Sequence, residues 1–175
     1  MATIISHSVE ETQALGESWG RAARAGWVIG LSGDLGAGKT QLAKGLARGL
    51  GISARVQSPT FALVGIYTEG RLPLYHLDLY RLDTPEQVAG AGLEEFLKPD
   101  GVTVIEWAER LESADENTKS EVRGFDSEAG HRRFAQGSGR MASAARGMRA
   151  GFFRSVRLET INERERRITY EDIGA

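Results

Sequence analysis

The run Gly33-Asp34-Leu35-Gly36-Ala37-Gly38-Lys39-Thr40 constrains this chain more than any other stretch. It reads G-x-x-x-x-G-K-T, a loop whose glycines let several main-chain N–H groups converge on one phosphate. Its flanks fit that geometry. Trp27-Val28-Ile29-Gly30-Leu31-Ser32 is a short apolar run rich in strand formers, and Leu42, Leu46 and Leu50 form one stripe at helical spacing. Strand, loop and helix place a helix N-terminus at the loop, where unpaired amides and the dipole both favour an anion. The spacing predicts that Gly33, Asp34, Leu35, Gly36, Ala37, Gly38, Lys39, Thr40 and Gln41 contact a nucleotide. Lys39 supplies a mobile charge for the outer phosphates, and the Thr40 hydroxyl is a ligand for Mg²⁺.

A second stretch completes the pattern. Gly101-Val102-Thr103-Val104-Ile105-Glu106-Trp107 is an apolar run ending in a carboxylate. The acid falls at the strand's C-terminal end, where open α/β sheets place their ligands. Glu106 is therefore expected to hold Mg²⁺ beside Thr40, with Trp107 adjacent as packing, gate or partner contact. Between these stretches, Ser58-Pro59-Thr60-Phe61 sets two hydroxyls around a residue that forbids helix. That suits either a plain turn or a loop that senses a γ-phosphate through Thr60.

The remaining elements follow from periodicity and caps. Thr3 to Ser6 reads as a short edge strand, and Ser8 as the cap of a helix from about Val9 to Ala25, with Trp19 in the core. Residues 61–67 and 72–80 read as a hairpin turning at Gly70. In its second strand Leu74, His76, Asp78 and Tyr80 share one face. His76 is expected to be half-buried and satisfied. Asp78 is expected to bond backbone amides or Arg81, or to position metal and water. Thr84 or Asp83 caps a further segment, with Pro85 at its start, running to about Leu97. The tail 152–170 returns to strand-like alternation.

Composition bounds the class. The chain has 175 residues, 41% hydrophobic, with a net charge of −2 and no cysteine. That is one domain with a real core, without disulfides, thiolate metal sites or a general attraction to nucleic acid or membranes. The N-terminus shows no basic, apolar leader, so a cytoplasmic location is expected. Residues 118–155 stand apart: eight basic residues against three acidic, among Gly, Ser and Ala. They read as a flexible insertion within a single domain of residues 1–175, either solvated or an arginine-rich arm for RNA or an acidic partner. The expected fold is α/β, a P-loop NTPase-like three-layer domain with a central mixed sheet flanked by helices.

Taken together, Gly33–Thr40, Ser58-Pro59-Thr60-Phe61, His76-Leu77-Asp78-Leu79-Tyr80-Arg81-Leu82 and Val104-Ile105-Glu106-Trp107 resemble the TsaE family over about residues 3–111. The resemblance implies a Mg²⁺-dependent ATPase needed to make threonylcarbamoyladenosine in tRNAs that read ANN codons. It implies partnership with TsaB and TsaD homologues, the transfer itself belonging to TsaD. By the same resemblance Lys39, Asp78 and Glu106 serve catalysis, Thr40 and Glu106 hold metal, and Ser58, Thr60 and Trp107 serve a switch or partner surface. ATP and ADP are the expected ligands, with at most an indirect tRNA contact. The stretch 118–155 departs from the family pattern. A P-loop small-molecule kinase is the alternative. A guanine-specific switch fits less well, because Asn117-Thr118-Lys119-Ser120 is not N-K-x-D.

Overall fold

In a computed structural model of the chain, residues 1–97, 100–111 and 152–173 are described. They build a seven-stranded mixed sheet. Its strands are β1 (Ala2–Ser6), β2 (Trp27–Ser32), β3 (Val64–Tyr67), β4 (Leu74–Asp78), β5 (Val102–Glu106), β6 (Phe152–Thr160) and β7 (Arg166–Ile173), in spatial order β1-β7-β6-β2-β5-β4-β3. The four central strands β6, β2, β5 and β4 run parallel, and β7, β1 and β3 add antiparallel edges. Parallel strands need cover on both faces, so apolar residues dominate them and the polar ones among them, such as His76, Asp78, Glu106 and Arg154, are buried and paired. β5 is buried at all five positions.

Helices α1 (Val9–Ala22) and α2 (Lys39–Gly49) cover one face. They enclose a core of Trp19, Leu42, Leu46, Ile29, Leu31, Val104 and Leu158. The other face carries α3 (Pro85–Gly90) and a 3-10 turn (Leu93–Leu97), packed on Val28, Leu77, Leu79, Ile105 and Phe153. This is the expected three-layer α/β fold. It puts the C-terminal ends of β2 and β5, and so the loop after β2, on one rim of the sheet.

Several expectations shift. α1 stops at Ala22 rather than Ala25, because Ala23 turns extended as its C-cap and Gly26 follows at φ 95°. Ser8 caps it as expected, accepting from the Glu11 amide. Thr84 forms a full capping box with Gln87, but α3 breaks at Gly90, and Gly92 has φ 66°. The insertion read over 118–155 lies outside the described residues except for its last four. Those belong to β6, where Phe153, Arg154 and Ser155 are buried. Arg154 forms a bidentate pair with Asp172, at 2.5 and 2.7 Å, under the ring of Trp19.

α1 and α2 meet along a glycine seam. A Cβ built at Gly16 would stand 2.2 Å from the Leu42 carbonyl oxygen, and one at Gly45 2.0 Å from that of Gln13. Gly20 and Gly49, one turn further along each helix, are equally tight against the Leu46 and Glu17 carbonyls. The two backbones touch, with no side chain between them. This close approach seats the start of α1 beside the loop that precedes α2.

Candidate functional site

The loop Gly33–Gly38 leaves β2 and winds into α2 through three glycines at positive φ: Gly33 at 133°, Gly36 at 79° and Gly38 at 102°. At Gly33 a side chain is impossible for a second reason, since its Cβ would lie 2.1 Å from the Leu158 carbonyl oxygen. Gly38 is the N-cap of α2 and contributes no side-chain cap. The Gln41 and Leu42 amides bond back to the Gly38 carbonyl at 3.0 Å, and the Lys39 and Thr40 amides ahead of them, with no side-chain cap, border a cleft of ≈ 880 Å³. Leu35 to Gln41 line this cleft, together with Ser58, Thr60, Asp78, Glu106 and Trp107. Gly33 and Asp34 form the stem of the loop, outside the cleft lining. Their carbonyls instead hold Lys39, whose Nζ donates to them at 2.5 and 2.9 Å.

Lys39 is almost fully buried, and its ammonium lies 3.7 Å from the centroid of the Trp107 ring. Burial pulls its pKa below the usual lysine range, opposed by the charges of Glu109, Glu106, Asp78 and Asp34. Glu109 shows the reverse: burial pushes its carboxyl above the usual range, against amide hydrogen bonds and the Lys39 charge. Trp107 adopts φ 60°, a left-handed conformation that costs a bulky residue about 1–3 kcal/mol. The strain places the indole over the loop lysine, with Tyr80 packed at 5.1 Å.

The carboxylates converge through strand register. β4 and β5 are parallel with Asp78 beside Glu106, so both acids emerge at the same rim and on the α2 side. Glu106 Oε2 accepts from Thr40 Oγ1 at 2.9 Å, tying the end of β5 to the first turn of α2. Its other oxygen lies 2.9 Å from His76 Nε2. Asp78 accepts from Thr60 Oγ1 at 2.8 Å, from Ser58 Oγ, and from the Tyr80 amide at 2.9 Å. Among the described residues no cluster of three His, Cys, Asp or Glu could cage a metal. The Thr40 hydroxyl and Glu106 carboxylate are instead a pair of hard oxygen donors beside an anion-binding helix start. That fits a small hard cation that completes its shell with phosphate and water.

One reading of a single residue needs correction. His76 is not half-buried and satisfied: it is fully buried, and its Nδ1 has no hydrogen-bond partner among the described residues. Asp78 takes the first of its expected partners, a backbone amide, that of Tyr80, while the Arg81 guanidinium stacks 4.2 Å from the exposed Phe61 ring. Sequence reasoning missed Glu163, Arg164 and Arg166, which the β6–β7 turn brings to the cleft. Arg166 Nη2 reaches the Gly36 carbonyl at 3.4 Å. No local pattern marked these residues, since only strand pairing brings the turn to the loop. Val9 and Thr12 at the start of α1 also line the cleft, with His7 and Ser8.

A phosphate-cradling loop between β2 and α2, faced by an acid from the neighbouring parallel strand, defines a P-loop protein of the nucleotide-binding class. The comparisons narrow it. The family model described as "Threonylcarbamoyl adenosine biosynthesis protein TsaE" matches residues 6–134, and the chain belongs to that family. A TsaE of Nostoc sp. is 49% identical over 115 residues, covering 63% of this chain and 70% of the relative. The Bacillus subtilis TsaE is 46% identical over 103 residues, 59% of this chain and 64% of that protein. The Treponema pallidum one is 47% identical over 109 residues, 62% and 80% of the two. The crystal structure of Bacillus subtilis YdiB superposes with a TM-score of 0.66 at 28% identity, over 99% of this chain and 86% of that one. No helix among the described residues is long and apolar enough to cross a membrane.

Proposed function

We propose that this protein binds and hydrolyses Mg·ATP as a subunit required for threonylcarbamoyladenosine modification of tRNAs reading ANN codons. In this reading it works with TsaB and TsaD homologues in the cytoplasm and is not itself the transferase. The observation that carries the reading is the Thr40–Glu106 contact at 2.9 Å, set at the mouth of an uncapped helix N-terminus.

In this reading each residue of the cleft has a role that its position supports. The amides of Gly36 to Thr40 bind phosphate oxygens, and Lys39 leaves its loop carbonyls to meet the outer phosphates. Thr40 and Glu106 hold Mg²⁺, which when bound neutralises phosphate charge as it develops. Asp78 orients the attacking water, with Ser58 and Thr60 as hydroxyls that rearrange when the γ-phosphate arrives or leaves. Arg164 and Arg166 add positive charge on the side opposite Trp107. In this scheme hydrolysis rests on positioning and electrostatics, and no covalent enzyme intermediate is required.

Pull-down of TsaB–TsaD by this chain, with ATP and then with ADP, tests the assignment. The expected result is association that depends on ATP, together with threonylcarbamoyladenosine formation in a reconstituted mixture that fails when this chain is left out. Modification at equal rate without it would overturn the reading. Phosphorylation of a small acceptor well above ATP hydrolysis would instead favour the kinase alternative.

A further inference from the structure

We propose that His76 is a positioning residue, fixing the orientation of the Glu106 carboxylate that receives the nucleotide's cation. The proposal rests on the reading that the cleft binds a nucleotide with a divalent metal.

The placement is built by the sheet. His76 stands on β4 opposite Val104 of β5, two residues short of the Asp78–Glu106 pair, and all three polar side chains lie on the α2 side. Its Nε2 lies 2.9 Å from Glu106 Oε1, and the other oxygen of the same carboxylate takes Thr40 Oγ1 at 2.9 Å. Among the described residues each carboxylate oxygen thus has one partner, and the two partners come from different elements. A carboxylate oxygen that accepts here takes its bond from a ring N–H, which puts a proton on Nε2.

The other ring nitrogen, Nδ1, has no hydrogen-bond partner among the described residues, and the ring is wholly buried between strands rich in leucine and valine. An apolar side chain would fill this space without an unpaired polar atom. The bond to Glu106 is what the imidazole provides there in exchange. It also outlasts the other one. A cation seated between Thr40 and Glu106 displaces the hydroxyl's hydrogen bond, whereas the bond from His76 lies outside that gap. Groups that hydrogen-bond a ligating carboxylate act in this way on metal affinity.

The test separates metal affinity from nucleotide affinity by calorimetry. ADP is titrated into the full chain in EDTA, and Mg²⁺ is then titrated into the ADP complex. His76→Phe, which fills the space without a donor, should raise the half-saturating Mg²⁺ roughly 10- to 100-fold and leave metal-free ADP affinity unchanged. His76→Gln, whose amide nitrogen can take the place of Nε2, should recover most of the metal affinity. His76→Asn, which is too short to reach Glu106, should not. Unchanged Mg²⁺ affinity in the Phe and Asn variants overturns the proposal. So does an equal loss of metal-free ADP affinity, which would mark His76 as purely structural. A wild-type chain whose ADP complex takes up no Mg²⁺ overturns the reading of the cleft itself, and that result is seen before any variant is made.

Discussion

Lys39→Ala is expected to lower the rate of ATP hydrolysis by on the order of 10²–10³-fold, the usual effect of deleting one preorganised charge from a transition-state site. The structure gives the reason in two parts. Lys39 is the only lysine lining the cleft among the described residues, and its ammonium already lies within the loop, bonded to Gly33 and Asp34. The charge needs only a short reach to the phosphates, so little reorganisation is required when ATP binds. The loop itself does not depend on the side chain. Its shape is set by glycines at positive φ and by the turn from the Ala37 amide to the Asp34 carbonyl at 3.1 Å. The variant should therefore stay folded, with an unaltered circular dichroism spectrum, while phosphate release falls. Wild-type turnover by Lys39→Ala would remove Lys39 from the mechanism.

Gly45→Ala should lower stability by about 2–3 kcal/mol, the usual cost of forcing atoms into a filled interior. At this chain length that corresponds to a melting temperature lower by roughly 5–10 °C. The obstruction at Gly45 is the Gln13 main chain, with its carbonyl oxygen at 2.0 Å and its Cα at 2.9 Å from the added Cβ. Neither can rotate aside, so the helix axes must part. Alanine's better helix propensity returns about 1 kcal/mol at most. Gly90→Ala is the control, because among the described residues nothing lies within 4 Å of the added atom at the end of α3. Thermal melts of the two variants decide the matter. If Gly45→Ala melts at or above the parent temperature, α1 and α2 do not touch as described. Separation of the helices also moves Thr12 and Val9, so ATP affinity should weaken in step with stability.

The candidate cleft was legible where its lining comes from contiguous residues. The loop 33–40, the acid at 106 and the hydroxyls at 58 and 60 are local patterns, and the fold brings Leu35 to Thr40, Glu106, Ser58 and Thr60 into one cleft, with Gly33 and Asp34 as the stem. Alternation in 74–80 assigned Asp78 to the correct face, because a strand fixes side-chain direction by parity alone. What sequence could not supply were relations between distant segments. The state of His76 depends on β4 lying beside β5, and the position of Arg166 depends on β7 returning past the loop. The glycine seam left a trace, Gly16 with Gly20 and Gly45 with Gly49, each pair four apart. Glycine at that spacing lowers helix propensity, so the feature reads as a weakness until the partner helix is in view. Helix ends were misplaced for a similar reason: Ala23 to Ala25 have good helix formers among them, and the connection to β2 overrides them.

The central claim is that main-chain amides between residues 33 and 40 grip a triphosphate, with Mg²⁺ held between Thr40 and Glu106. Isothermal titration of Mg·ATP into the folded chain, against Thr40→Val and Glu106→Gln, tests it most directly. One-site binding is expected for the parent chain, with affinity that falls on removing Mg²⁺ and a weaker dependence on Mg²⁺ in both variants. Absence of any heat with the folded parent, or equal Mg²⁺ dependence in all three proteins, would contradict it.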